Sequence, residues 1–332
     1  MFTFEKQKQN PLFYIDDKPV YTVFKKDESH RIPPFRDTKK YLDSDEFRER
    51  YSLSLREAKE LKNALRSNIV PDGALKGQFY RVRKDLNDRL YTEIDLRGTD
   101  KTISWRFPHK VKEWPETQII IGSSGVGKTH KVVGELVEAL KRGRKRKFVY
   151  VSPELNVDTT LKKLLNTKRW QKNFQGLDVS DSAFEEWQIE NQGGNADQWW
   201  DKEIGAVLNN LEPGTFCVLD DAPDSFVHSQ LQKWLIKYLR TGRHKKIGVG
   251  SIQHLVRGRR WTSQSFSSVK WITLFPRGGG KGKQVEFLYE QLGINRRKGR
   301  ELVDLFGEHG RYMTIHQWSP TVIFGPKYAL WV

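Results

Sequence analysis

Eight consecutive residues have the types and spacing to hold a phosphate group: Gly122-Ser123-Ser124-Gly125-Val126-Gly127-Lys128-Thr129. They match the pattern G-x-x-x-x-G-K-[ST] at every fixed position. The glycines let backbone N–H groups turn inward around phosphate oxygens. Lys128 then reaches the β- and γ-phosphates of ATP, and the hydroxyl of Thr129 ligates Mg²⁺. The other interpretation is a glycine-rich turn between a strand and a helix that binds no nucleotide.

A second group of chemically useful residues ends an apolar run, Phe216-Cys217-Val218-Leu219-Asp220-Asp221. The run predicts a buried parallel strand, and open α/β sheets bind their ligands at the carboxyl ends of such strands. We interpret Asp220 as the acid on the Mg²⁺ side and Asp221 as the acid that orients and polarises the attacking water. The alternative is that one acid of the pair caps the N-terminus of a helix.

Alternating strands and helices surround the two motifs and must position them. The predicted strands are Gln118–Gly122, Phe148–Ser152, Thr215–Asp220, Ile247–Ile252 and Val269–Phe275. The predicted helices are Lys128–Lys141, Ala196–Asn210 and Ser229–Thr241. This alternation is typical of a mostly parallel sheet with helices on both faces. The predicted fold class is therefore α/β, with a P-loop NTPase core.

Residues 1–115 follow a different pattern, which predicts a small α+β region. A capping-box spacing of Ser54 and Glu57 favours a helix over Ser52–Ser67. The other elements predicted outside the core are a hairpin of Leu12–Ile15 with Val20–Phe24, a hairpin of Leu90–Leu96 with Thr102–Phe107, a C-terminal helix at Lys298–Phe306, and a hairpin of Tyr312–Gln317 with Thr321–Phe324. We divide the chain into an N-terminal region, 1–115, and an ATPase domain with a C-terminal extension, 116–332.

Positive charge is concentrated in one part of the chain. The formal net charge is +17, and the window 240–300 holds fifteen Lys and Arg against Glu286 and Glu290, which is 15 − 2 = +13. Such a window favours binding to a polyanion, and double-stranded DNA is the partner we expect. The candidate DNA contacts are Arg257, Arg259, Arg260, Lys281 and Lys283, the last two in a predicted flexible loop, Arg277–Lys283. The alternative is a charged surface that only keeps the protein soluble.

The composition indicates the cellular compartment in which the chain works. The chain of 332 residues has a single cysteine, so it cannot form an internal disulfide or a cysteine-based zinc site. No apolar run approaches the length of a membrane span, and the first ten residues show no secretory signal. We therefore expect an intracellular protein that is not secreted and has no membrane partner.

The block Arg240–Gln253 resembles the FtsK–HerA superfamily of DNA-pumping ATPases, and within it the poxvirus-type genome-packaging ATPases. The resemblance covers about Gln118–Phe275, and it implies a RecA-like core that works as a homo-oligomeric ring. It implies that Gln253 senses the γ-phosphate, and that Arg243, with Arg240 in reserve, supplies an arginine finger to the neighbouring subunit. Many relatives carry Glu where this chain has Asp221.

The resemblance further implies that the chain packages a viral genome into a preformed capsid, hydrolysing Mg-ATP in the infected host cell. Residues 1–115 lie outside the resemblance, and by elimination we expect them to dock the chain on a capsid or on a DNA-recognition partner. A capsid or portal-vertex protein is the expected assembly partner, which would associate the chain with the virion. Two alternatives stay open. One is a replicative helicase or recombination ATPase on the same scaffold. The other is a DNA-binding capsid-vertex protein that binds ATP without hydrolysing it.

Overall fold

The computed structural model describes residues 2–4, 6, 11–22, 42–67, 69–87, 93–107, 116–142, 147–168, 171–221, 225–254, 266, 268–277, 280–318 and 321–331. The candidate DNA contacts Arg257, Arg259 and Arg260 lie outside these ranges. Among the described helices, none combines the length and the apolar composition that crossing a bilayer would require.

A ten-stranded sheet organises the described part of the chain, in the order β4-β14-β13-β12-β11-β6-β10-β9-β7-β8. Its strands are β4 (Glu93–Asp95), β6 (Thr117–Ile121), β7 (Phe148–Ser152), β8 (Phe174–Asp178), β9 (Phe216–Asp220), β10 (Gly248–Gln253), β11 (Trp271–Leu274), β12 (Met313–His316), β13 (Val322–Phe324) and β14 (Tyr328–Trp331). The strands from β11 to β8 in this order are parallel, whereas β12, β13, β14 and β4 extend the sheet in antiparallel pairs. The predicted α/β fold with a mostly parallel sheet is confirmed.

Helices cover both faces of this sheet because the buried strands are apolar on both sides. In β6, Ile120 packs on one face while Ile119 and Ile121 pack on the other. The first face is covered by α4 (Lys128–Arg142) and α5 (Thr159–Leu165). The second face carries α6 (Asp181–Glu190), α7 (Ala196–Trp199), a π-helical turn (Trp200–Ile204), α8 (Gly205–Asn209), α9 (His228–Lys245), α10 (Lys281–Leu292) and α11 (Arg296–His309).

The N-terminal residues contribute a small sheet and a helical cluster. The small sheet has the order β1-β3-β2-β5, formed by β1 (Phe2–Thr3), β2 (Phe13–Ile15), β3 (Lys18–Thr22) and β5 (Ile103–Ser104). The helices α1 (Asp45–Arg50), α2 (Leu55–Ser67) and α3 (Leu75–Asn87) bury a core of their own around Phe47, Leu61 and Phe79. Ser54 and Glu57 form the expected capping interactions at the start of α2.

The first predicted hairpin is confirmed, with a tighter turn than expected. Asp16 and Asp17 both have positive φ, 44° and 72°, and Ile15 pairs directly with Lys18. The second predicted hairpin, Leu90–Leu96 with Thr102–Phe107, is wrong. Instead, β4 pairs with β14 and β5 pairs with β2. Local sequence patterns predict a strand but not its partner, and Ile94 pairs with Ala329, far along the chain.

The predicted boundary at residue 115 stays a prediction, although residues on its two sides share one core. Phe13 packs against Phe324 with ring centroids 5.1 Å apart, and Trp105 packs against Trp271 at 5.5 Å. The backbone N–H of Ile103 also donates to the carbonyl oxygen of Pro326 at 2.8 Å. The small sheet and β4 are therefore built into the α/β core rather than attached beside it.

Near the C-terminus, the structure confirms the predicted helix and hairpin and corrects the predicted loop. The helix spans Arg296–His309, and β12 pairs with β13. The loop predicted over Arg277–Lys283 is wrong at its C-terminal end, because α10 begins at Lys281. Gly280, at φ +81°, turns the chain into this helix, and Val285, Leu288 and Leu292 bury its apolar face. The glycines and lysines of its first turn concealed the helix in the sequence.

Candidate nucleotide-binding site

The glycine-rich segment lies between the end of β6 and the first residue of α4, as predicted. Gly125 and Gly127 have φ of +73° and +97°, a region that residues with a Cβ rarely adopt. At Gly122, an added Cβ would lie 2.9 Å from both Phe275 Cβ and Val126 Cγ2. Conformation and packing together require glycine at these three positions, and the loop presents the N-terminus of α4 to a phosphate.

Asp220 is buried at the carboxyl end of β9, and two hydroxyls share one of its oxygens. Thr129 donates its Oγ1 hydrogen to Asp220 Oδ2 at 3.1 Å, and the hydroxyl of Tyr150 donates to the same oxygen at 2.5 Å. The other oxygen, Oδ1, is buried without a hydrogen-bond partner among the described residues. Burial raises the pKa of the Asp220 carboxyl to about 6, against the hydrogen bond from Tyr150, which lowers it.

This carboxylate fits a divalent cation. A buried oxygen without a partner is costly, and a metal ion beside it would remove that cost. Mg²⁺ binds proteins through one or two oxygen ligands and keeps its other positions for water and phosphate. Asp220 and Thr129 are the residues that would hold it, and their roles as metal ligands stay a prediction.

Lys128 is buried at the start of α4, and its ammonium contacts two groups. Its Nζ donates to the carbonyl oxygen of Ser123 at 3.0 Å and lies 3.5 Å from Nδ1 of His254. Burial lowers the pKa of the Lys128 ammonium, although the charges of Asp221 and Asp220 act in the opposite direction. The cation therefore stands at the phosphate loop with both acidic residues close enough to affect it.

Asp221 and His254 meet because β10 lies between the strand that carries the phosphate loop, β6, and the strand that carries Asp220, β9. Asp221 follows β9 with a φ of 48°, a left-handed conformation that Asp tolerates better than most residues. His254 follows β10, and its Nε2 lies 3.1 Å from Asp221 Oδ2. The second oxygen of Asp221, Oδ1, is buried and has no partner among the described residues.

Gln253 occupies the predicted position at the end of β10, but its side chain lies on the sheet face opposite α4. Side chains alternate along a strand, and Ile252 packs on the face that α4 covers. The Gln253 side chain donates its Nε2 hydrogen to Ser251 Oγ at 2.9 Å, and the backbone carbonyl oxygen of Gln253 accepts from the backbone N–H of Gly122 at 3.2 Å. Its role as a γ-phosphate sensor stays a prediction, whereas His254 contacts both Lys128 and Asp221.

Arg243 lies in the last turn of α9, next to the amino end of β10, whereas the phosphate loop lies at the carboxyl ends of the strands. The strand β10 begins at Gly248 and ends at Gln253, so its amino and carboxyl ends are about 17 Å apart. Arg243 and Arg240 are both exposed there. Neither guanidinium reaches the site of its own chain, and the finger role predicted for Arg243 requires a second subunit.

The described DNA candidates differ in their surroundings. Lys281 forms an ion pair with Asp304 at 2.7 Å. Lys283 is exposed, and no ion pair with it is found in the described part of the chain. Arg277, which begins the predicted loop but is not one of the candidates, donates to the backbone carbonyl oxygen of Gly307 at 2.7 Å. Lys283 is therefore the described candidate with its charge most available to a phosphate.

Two residues of the site, Tyr150 and His254, were missed by the sequence analysis. Tyr150 lies on a predicted strand, but its approach to Asp220 depends on which face of β7 meets α4. His254 follows the predicted glutamine by one residue, and only the strand order reveals that this position lies between Lys128 and Asp221. A polar residue directly after a buried strand was the one signal that could have indicated it.

Searches against protein-family models and curated proteins find no significant match. Among solved structures, the chain is similar to the genome packaging NTPase B204 from Sulfolobus turreted icosahedral virus 2 in complex with sulfate, with 13% identity, a TM-score of 0.42, and coverage of 64% of this chain and 96% of that chain. The cytoplasmic domain of the Thermomonospora curvata Type VII secretion ATPase EccC gives 14% identity, a TM-score of 0.43, and coverage of 73% and 29%. The pCW3 conjugation coupling protein TcpA with ATPgS gives 14% identity, a TM-score of 0.39, and coverage of 78% of this chain and 82% of that chain. At these scores the similarities assign no residue role or activity to this chain.

Proposed function

We propose that this chain is a Mg²⁺-dependent ATPase that translocates double-stranded DNA and packages a viral genome into a preformed capsid. The observation that carries the ATPase is the buried Asp220, which has one oxygen without a partner in the described part of the chain and the other beside the hydroxyl of Thr129. A carboxylate left in this state next to a P-loop lysine has a clear chemical use only when a metal–nucleotide complex binds.

Each residue has a defined task in this reaction. The phosphate loop and Lys128 hold the β- and γ-phosphates, and Asp220 with Thr129 holds Mg²⁺, which supplies neutralisation of phosphate charge. Asp221 orients a water molecule toward the γ-phosphorus. The water oxygen forms a bond to that phosphorus as the bond to the bridging oxygen breaks, giving ADP and inorganic phosphate.

The DNA part of the proposal is supported by charge. The net charge of +17 is concentrated in residues 240–300, and Lys283 presents an exposed ammonium in that window. A duplex is a dense polyanion, and neutralising its phosphates gives affinity that does not depend on sequence. The B204 proteins are described as genome-packaging or DNA-packaging enzymes. We propose the same work for this chain on the basis of its own residues.

Assembly into a ring belongs to the proposal as well. Arg243 lies near the amino ends of the strands and Lys128 lies at their carboxyl ends, so Arg243 can act only on the site of a neighbouring copy. An arginine supplied in trans is a common way to stabilise the transition state of phosphoryl transfer. We place the working ring in the infected cell, docked on a capsid or portal-vertex protein.

The test is steady-state ATP hydrolysis with and without linear double-stranded DNA, titrated in salt. We expect DNA to stimulate turnover and the stimulation to fade as salt rises. Lys128→Ala should abolish turnover, whereas Lys141→Ala, an exposed lysine on the same helix, should leave it intact. Turnover that ignores DNA at every salt concentration would contradict a DNA motor.

Two further results would favour the alternatives. Unwinding of a duplex with a preference for single strands, measured by strand displacement, would indicate a helicase. ATP binding without hydrolysis, even with DNA and at high protein concentration, would indicate a nucleotide-gated DNA-binding protein.

A further inference from the structure

We propose that His254 is a positioning residue that holds Lys128 and Asp221 together in the nucleotide-free site and releases both when a γ-phosphate arrives. The inference rests on the ATPase function proposed above and assigns it a regulatory step. We call the chain of contacts Lys128–His254–Asp221 the His254 bridge.

One protonation state of His254 satisfies both contacts of the bridge. The Lys128 ammonium has only hydrogens to give, so Nδ1 of the imidazole must be the acceptor in the 3.5 Å contact. In the neutral ring the hydrogen then sits on Nε2, which donates it to Asp221 Oδ2 at 3.1 Å. The bridge is thus a directed pair of hydrogen bonds from the cation to the carboxylate.

A triphosphate competes with this bridge for the lysine. The ammonium has three hydrogens. One is given to the carbonyl oxygen of Ser123 and another is directed at His254, so one has no partner among the residues that the structure describes. A P-loop lysine contacts both the β- and the γ-phosphate, which requires two hydrogens. One of the two present partners must therefore be displaced when the γ-phosphate binds.

His254 is the partner that can leave. The carbonyl of Ser123 belongs to the phosphate loop itself, whose backbone is fixed by its glycines. The side chain of His254 is 44% exposed and can rotate into solvent. ADP has no γ-phosphate and can be held through the remaining hydrogen, so it leaves the bridge in place.

Release of His254 also changes the state of Asp221. Asp221 is 18% exposed, its Oδ1 has no partner among the described residues, and its Oδ2 is held by His254. When His254 turns away, Oδ2 is freed as well, and this oxygen, unlike the buried Oδ1, becomes available to orient the attacking water. The bridge therefore makes the freeing of this acid depend on the γ-phosphate and not on nucleotide binding in general.

The experiment compares the affinity for ATPγS with the affinity for ADP, using fluorescent nucleotides without DNA. For His254→Ala we expect ATPγS to bind about tenfold more tightly than to wild type and ADP affinity to stay unchanged, because only the γ-phosphate competes with the imidazole. KM for ATP should fall accordingly, with a smaller change in kcat. An ATPγS/ADP affinity ratio that is unchanged or reduced would overturn the proposal.

Two conservative variants separate the two halves of the bridge. His254→Asn keeps an acceptor where Nδ1 faces Lys128, so its affinity ratio should return toward wild type. His254→Gln places an amide where Nε2 faces Asp221, so its ratio should resemble that of His254→Ala. A ratio for the asparagine variant that equals that of alanine would refute the contact with Lys128 as the cause.

The matched control is His309→Ala, whose side chain is 42% exposed and stands beside Glu308. It should bind both nucleotides as wild type does.

Failure of the bridge and failure of the proposed function give different results. If wild type binds no nucleotide, the proposed function and the bridge both fail. If wild type binds and hydrolyses ATP but His254→Ala leaves the affinity ratio unchanged, the bridge alone fails.

Discussion

The hydroxyl of Tyr150 donates to Asp220 Oδ2 at 2.5 Å, from the neighbouring strand of the same sheet. Tyr150 is fully buried, and burial raises the pKa of its phenol well above the usual value, so it remains a donor. The bond fixes one oxygen of Asp220 and leaves Oδ1 for the metal. The orientation of the predicted metal ligand thus depends on a fully buried residue of the neighbouring strand.

Tyr150→Phe should therefore weaken Mg²⁺ binding without removing either of its ligands. Loss of a hydrogen bond behind a metal ligand typically costs about 10–100-fold in metal affinity or activity. We expect the Mg²⁺ concentration for half-maximal hydrolysis to rise by at least about tenfold. Tyr238→Phe is the control, because the hydroxyl of that buried tyrosine accepts a hydrogen bond from Lys245, away from the nucleotide site. Equal effects of both variants would indicate a general loss of packing.

Asp220→Asn should abolish hydrolysis but stabilise the nucleotide-free protein above pH 6. The folded pKa of Asp220 is about 6 against an ordinary 3.8, so the folded state binds the proton more tightly than the unfolded state. The free energy of unfolding of the wild type therefore falls as the pH rises from 3.8 to about 6. The asparagine variant cannot ionise at this position and lacks this loss of stability. The difference between a pKa of 3.8 and one of about 6 corresponds to at most about 3 kcal/mol of unfolding free energy.

Urea unfolding of both proteins at pH 5 and pH 8, without Mg²⁺ or nucleotide, measures this difference. The advantage of Asp220→Asn should be largest at pH 8 and should shrink at pH 5, and it should disappear as the pH approaches 3.8. Groups elsewhere titrate equally in both proteins and cancel. An advantage that is absent at pH 8, or that grows on acidification, would refute the raised pKa.

Two glycines separated by half of α4 should respond in opposite ways to alanine. Gly127 has a φ of +97°, so Gly127→Ala should distort the phosphate loop and abolish nucleotide binding. Gly134 is an exposed helical residue with no neighbour within 4 Å of an added Cβ. Gly134→Ala should raise the free energy of unfolding by about 0.5–1 kcal/mol and leave ATP binding unchanged. Denaturant unfolding and fluorescent-nucleotide titration measure the two effects.

Mixing variants should reveal whether Arg243 acts on a neighbouring subunit. Arg243→Ala and Lys128→Ala should each be inactive, but a mixture should regain part of the activity. In the mixture, some interfaces combine an intact Lys128 with an intact Arg243. Repeating the mixture with Arg240→Ala in place of Arg243→Ala identifies which arginine supplies the finger. No recovery at any mixing ratio would argue against a finger in trans.

Lys283 and Lys281 should differ in their contribution to DNA binding. Lys283→Ala should reduce the slope of log K against log salt concentration by about 1, as expected for one lost phosphate contact. Lys281→Ala should have a smaller effect, because its ammonium is already paired with Asp304. Equilibrium binding to a linear duplex at several salt concentrations tests the difference, and a larger effect at Lys281 would contradict it.

The sequence predicted the parts of the site that depend on local order. The phosphate loop follows one predicted buried strand and Asp220 is the last residue of another, and both lie where that pattern places them. Tyr150 and His254 could not be predicted, because their positions depend on the order of strands in the sheet. The partner of β4 was missed for the same reason, since a strand pattern says nothing about pairing with a segment more than two hundred residues away.

The pairing of β4 with β14 also sets the order in which the protein can be completed during synthesis. Glu93 pairs with Leu330, so β4 must wait for a strand that is synthesised more than two hundred residues later. Phe13 likewise waits for Phe324, and Trp105 waits for Trp271. Contacts between such distant segments form slowly, and the waiting strands are open to aggregation. Chains released before β14 is made therefore lack the native partner of β4, and they should be recognisable to chaperones and proteases as unfinished.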